Sequence, residues 1–156
     1  MRLEQAFEPE DAWQEAREEL KRADHLLFVS LKYTRTVDVI KSVIHRLINA
    51  CDYMIIALLR DVKRKKKIAE VPMLPRLRAE LARSYCRDPL VSDYIDFYIQ
   101  LRKINIAAFS RSMEYRRHVT MTVEIEGAKL AVTIDKVQEY FEKTKAFIEY
   151  LVSKRE

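Results

Sequence analysis

A chain of 156 residues, 49% apolar and 34% charged, is long enough to bury a core and too apolar to be a disordered tail. Its one glycine, Gly127, excludes a P-loop, a dinucleotide-binding fingerprint and a nucleophile elbow, each of which needs glycines at set places. Two cysteines, Cys51 and Cys86, exclude a disulfide framework and a zinc pattern, while a net charge of +5 is compatible with an anionic partner.

The first helix is expected from about Asp11 to Tyr33, because Ala16, Leu20, Ala23, Leu27 and Leu31 recur every three or four residues. Glu8, Glu10 and Asp11 lie at its start, where negative charge suits the helix dipole. Thr36 reads as the N-cap of a second helix along Val37, Ile40, Ile44, Leu47, Cys51, Met54 and Leu58. That stripe makes Cys51 a buried free thiol. The helix runs out in Lys63-Arg64-Lys65-Lys66-Lys67. Pro75 then opens a short third helix with Leu77, Leu81 and Tyr85 on its face. Asp88-Pro89 signals a turn, and Ser92 caps a fourth helix through Ile95, Tyr98, Leu101, Ile104 and Ala108 to about Met113.

From His118 the apolar period changes to two. Val119, Met121, Val123 and Ile125 alternate with polar residues, and so do Leu130, Val132 and Ile134 after the turn. A hairpin over 118–135 turning at Glu126-Gly127 places Val123 opposite Leu130, Met121 opposite Val132 and Glu124 opposite Lys129. The same register carries His118 to a position opposite Asp135. Asp135 and Gln138 read as a capping box for a last helix with Val137, Tyr140, Phe141, Thr144, Ile148 and Leu151 on its face. The expected fold is mainly α: four long helices and one short one, with a single β-hairpin inserted before the C-terminal helix, in one domain over 1–156.

A histidine beside a carboxylate, with Arg111, Arg116 and Arg117 just upstream, is a set that suits phosphodiester chemistry. Imidazole moves protons, and guanidinium stabilises charge developing on phosphate. The competing reading is a solvated histidine at a hairpin mouth. His25 and His45 have no ligand at i+3 or i+4, so no metal site and no cofactor is expected.

Several bundle helices, then Arg-Ser-Met-Glu-Tyr-Arg-Arg-His (Arg111 to His118), then a final amphipathic helix, resemble the HEPN superfamily of helical-bundle domains. The resemblance implies a dimer and an RNA-associated role. In catalytic members it implies metal-independent RNA cleavage by an Arg and a His, here Arg111 and His118, with the site assembled across the dimer. Ser112 stands where many members carry Asn, Asp or His.

Charge is the second signal. Between residues 60 and 87 there are ten Lys and Arg against three acids, a local +7, so the rest of the chain sums to −2. Lys63, Arg64, Lys65, Lys66, Lys67, Arg76 and Arg78, with Arg116 and Arg117, are the expected contacts to a phosphate backbone. Tyr85, Tyr94 and Tyr98 are either stacking faces for bases or bundle core. The alternative is a non-catalytic interaction module or dimerisation domain with a protein partner. With no signal-peptide pattern and no long apolar run, the expected place is the cytoplasm, away from membranes. Scarce Gly and Asn beside dense Glu, Lys and Arg match heat-adapted proteins.

Overall fold

The computed structural model describes residues 11–155. Glu8 and Glu10, expected at the start of the first helix, lie outside the described residues. Helix α1 (Ala12–His25) opens where the Asp11 carboxylate accepts from the Gln14 amide at 3.1 Å. It continues through a π-helical stretch, Leu26–Ser30, into a last turn, Leu31–Tyr33. Thr36 caps α2 (Val37–Arg64) by accepting from Val39 N–H at 3.3 Å, as its sequence position predicts. The adjacent Val37 N–H donates instead to Glu114, at 2.8 Å and 77 positions away.

At 28 residues α2 is about 42 Å long and forms the axis of the fold. The predicted stripe from Val37 to Met54 is buried, but so are Val43, Ile48, Ala50, Ile55, Ala57 and Leu59 on its other sides. A helix apolar on several faces is one that neighbours surround. By length and apolarity alone α2 could cross a membrane, yet more than half of its most apolar window is buried in the fold.

Helix α3 (Pro75–Cys86) begins at Pro75 as expected. The face it buries differs from the expected one. Ala79 and Ala82 are fully buried, while Leu77 is 53% exposed and Tyr85 40%. Two small residues let α3 approach its neighbours closely, which leaves its larger apolar side chains pointing outward.

Helix α4 (Pro89–Ile106) is capped by Asp88 and not by Ser92. The Asp88 carboxylate accepts from Leu90 N–H at 2.9 Å, and Pro89 fills the first helical position, where its missing N–H costs nothing. The helix also stops earlier than Met113, because Ala107 is extended and Phe109–Ser112 form a strand, β1. Phe-Ser-Arg-Ser alternates with period two, but four residues are too few to stand out from a preceding helical pattern.

The hairpin is therefore two strands of a three-stranded antiparallel sheet in the order β1-β2-β3, with β2 (Thr120–Ile125) central and β3 (Ala128–Thr133) at the edge. The register agrees with the sequence: Val123 faces Leu130, Met121 faces Val132, and Glu124 faces Lys129. Glu126 and Gly127 both have positive φ (53° and 82°), the backbone that a primed two-residue turn requires. The ladder ends at Thr120–Thr133, because Ile134 already begins α5 (Ile134–Arg155). Thr133 takes the cap: its hydroxyl accepts from Lys136 N–H at 3.2 Å, so the expected Asp135–Gln138 box does not start this helix. Val119, Met121, Val123 and Val132 are buried, so the sheet packs its apolar face on its own bundle. The expected α5 face, Val137 to Leu151, is buried throughout.

Candidate nucleic-acid interface

The basic run leaves α2 through a Schellman turn. Lys66 has φ 60°, Lys66 N–H donates to the Lys63 carbonyl at 2.8 Å, and Lys67 N–H donates to the Val62 carbonyl at 3.3 Å. Glycine is the usual residue at such a left-handed position, and a lysine there bears the steric cost of its Cβ. The turn ends the helix and presents Lys65, Lys66 and Lys67 to solvent on consecutive residues.

Lys65 and Lys67 border a cleft of about 550 Å³. Arg64, Lys65, Lys67 and Lys154 supply its positive charge, Asp61 its negative charge, and Trp13, Leu58 and Leu151 part of its apolar lining. Tyr85 closes one side, and its hydroxyl donates to the Lys67 carbonyl at 3.1 Å, which fixes the lysine turn to the end of α3. Lys154 comes from α5, far from the basic run in sequence. Asp88 holds it, with Lys154 Nζ 2.7 Å and Tyr150 Oη 2.5 Å from the same carboxylate oxygen.

Nine of the ten cations of residues 60–87 divide by their partners. Arg78 donates to the carbonyls of Pro72 (3.2 Å) and Met73 (2.9 Å), bracing the α2–α3 connection. Arg83 joins Glu80, Asp96 and Ser92. Lys63 pairs with Glu70 at 3.0 Å, and Arg64 pairs with Asp61. Among the described residues no ion pair involves Lys65, Lys66, Lys67, Arg76 or Arg87, which leaves those five charges available to a ligand. Cys86, on the cleft wall, is half-buried, and burial raises its thiol pKa. Cys51 is the buried free thiol the stripe predicts, and burial pushes its pKa far up, so neither is an activated nucleophile.

Arg111 and His118 lie at the other end of α2. Arg111 stands on β1 opposite Met121. Its guanidinium is 3.0 Å from Asp38 and 3.8 Å from Glu114, and it lies over the Phe109 ring at 5.3 Å. Glu114 caps α2 through Val37, and Tyr115 N–H donates to the Arg35 carbonyl at 2.6 Å. These bonds clasp the loop to the α1–α2 turn, and Met113 and Tyr115 adopt positive φ (56° and 67°) to follow it. Arg116, Arg117 and His118 are exposed. The His118 carbonyl accepts from the Thr120 hydroxyl at 2.8 Å. Among the described residues no hydrogen bond or ion pair joins the imidazole to Asp135 or to Arg111. Asp135 lies in the first turn of α5, so the strand pairing with His118 is replaced by a helix start. About 40 Å of helix separates this cluster from the lysine turn.

Two polar arrangements escape a reading of the sequence. Glu19 is buried on the Ala12-Ala16-Ala23 line of α1 and meets Arg22, Arg46 and Asn49. The only trace it leaves in the sequence is a carboxylate on a stripe of small apolar residues. The Asp88–Tyr150–Lys154 contacts leave no trace, because they join positions more than 60 residues apart. Among the described residues no group of three His, Cys, Asp or Glu side chains is placed to hold a metal ion. Comparison with protein-family models, with curated proteins and with solved structures finds no match to this chain.

Proposed function

We propose that this protein is an RNA-associated helical domain, HEPN-like in its order of elements, that binds the phosphate backbone through the lysine turn at the end of α2. One observation carries the reading. Lys65, Lys66 and Lys67 are exposed and make no ion pair among the described residues, and Lys65 and Lys67 border a cleft that Lys154 enters from another helix. Charges that only kept the surface soluble would have no need to converge on a concavity. Uncommitted cations around a cleft release counterions when phosphate binds, which makes affinity strongly salt-dependent. The test is RNA affinity against salt concentration. Replacing Lys65, Lys66 and Lys67 by Ala should lower the logarithmic slope by about two to three. Salt-independent binding, or none at low salt, rejects the reading.

Cleavage is a further part of this reading, with a homodimer as the unit. Arg111 is held by Asp38 and Glu114 within its own chain, so a second subunit would have to complete a site at His118.

A specific observation favours a second reading, a protein-interaction module. Met73, Leu74 and Leu77 are 47%, 66% and 53% exposed along the start of α3. Exposed apolar residues grouped in this way mark protein contacts. Light scattering and RNA titration of the protein and of Leu77→Ser separate the cases: self-association abolished by the serine, with no RNA bound by the unmodified protein, favours the module.

A further inference from the structure

We infer that the cleft beside the lysine turn seats one unpaired nucleotide, so that the protein selects single-stranded RNA over duplex. This rests on the RNA reading above and specifies its ligand. The cleft combines two chemistries that a duplex cannot use together. Lys65, Lys67 and Lys154 lie at its border, where a phosphate would sit. Lys154 gives one donor to Asp88, and an ammonium has three, so it keeps donors for a ligand. The apolar lining of Leu58, Leu151 and Trp13 offers nothing to phosphate but accepts a base edge or face. Tyr85, 40% exposed and anchored through its hydroxyl to the Lys67 carbonyl, presents a fixed ring to the same space. A paired base keeps its faces within the helical stack, whereas an unpaired base can turn out and lie on an aromatic ring. A surface that read only backbone charge would need neither the concavity nor the ring.

Trp13 is the only tryptophan of the chain and lines the cleft, so its fluorescence reports occupancy directly. The experiment titrates the whole protein at low salt with a short oligouridine strand and with an RNA duplex of equal length. The strand should quench Trp13 and bind about tenfold tighter than the duplex, the scale of one base stacked on an aromatic ring. Tyr85→Ala should remove most of that preference, and Tyr85→Phe, which keeps the ring, should retain it. Equal binding of strand and duplex, with Trp13 unchanged, overturns this inference and leaves the RNA reading standing. Absence of binding by both forms overturns both. The strand–duplex comparison needs no variant, so it stands even if Tyr85→Ala folds poorly.

Discussion

Glu19 and Arg46 meet across the α1–α2 interface, the guanidinium 3.2 Å from a carboxylate that is almost entirely buried. Arg22 (2.6 Å) and Asn49 (2.7 Å) bind the same carboxylate, so each of its oxygens has donors. Burial by itself raises the Glu19 pKa, but the bonds from Arg22 and Asn49 and the charge of Arg46 outweigh it, and the net shift is downward. Glu19→Ala should cost about 2–3 kcal/mol, below the range for a fully buried pair because both guanidiniums stay partly hydrated. Urea denaturation measures this directly. Because the folded pKa is depressed, the contribution is present above the ordinary carboxylate value and is lost as pH falls through the lower folded value. Stability of the unmodified protein should therefore decline below about pH 4, and the decline should be shallower in Glu19→Gln.

Asp88 is the second pH-dependent contact. Hydrogen bonds from Lys154, Tyr150 and the Leu90 amide hold its carboxyl down to about 2. The sign is again that of a depressed acid. The contact persists at neutral pH and is lost only as pH falls from the usual carboxylate value towards 2. Carbon NMR of the Asp88 carboxyl should show a midpoint near that value. Asp88→Ala should increase amide exchange in the last turns of α5, which Asp88 ties to the start of α4.

Most of the fold was legible because most of it obeys a period. The α2 stripe, the Thr36 cap and the pairing of Val123 with Leu130 each follow from spacing alone, since a one-residue slip would put apolar against polar. The failures share a cause, which is that short or ambiguous segments are decided by tertiary neighbours. Phe109–Ser112 leaves the α4 pattern because β2 has an edge to satisfy, and Asp88 displaces Ser92 because Pro89 fits the first helical position. Leu77 and Tyr85 were misplaced because α3 is amphipathic twice over, with a large apolar stripe and a small one. Close approach chose Ala79 and Ala82. At the candidate site, the exposed lysine run was legible from sequence, and the arrival of Lys154 was not.

Lys66 allows charge and conformation to be separated. Lys66→Gly removes a Cβ from a left-handed position and should stabilise the fold by up to about 1 kcal/mol, the cost that glycine avoids there. The same change deletes one cation from the proposed RNA surface, and should lower the logarithmic salt slope by about 0.7–0.9. Thermal denaturation and RNA titration of this one variant should thus move in opposite directions. A loss of stability would show that the Schellman turn is not strained by its lysine.

Catalysis makes the sharpest demand on the other end of α2. If a homodimer cleaves RNA there, His118 moves a proton and Arg111 holds the phosphate, in the roles the HEPN resemblance implies. His118 is exposed, so His118→Ala should leave the denaturation midpoint unchanged while lowering the cleavage rate a hundredfold or more, the scale of a lost general acid or base. Arg111 stands differently, since Asp38 and Glu114 already bind it. Asp38→Ala removes the nearer of those carboxylates, so it should raise activity if Arg111 turns to substrate and should leave activity unchanged if Arg111 only pins the loop to α2. Arg111→Lys should reduce cleavage, because an ammonium cannot reproduce a planar two-pronged contact to phosphate. Measured side by side on one RNA strand, the three variants decide the role of this cluster. Cleavage that persists unchanged in His118→Ala removes Arg111 and His118 as the catalytic pair, whereas RNA binding without any cleavage by the unmodified protein leaves an RNA-binding domain.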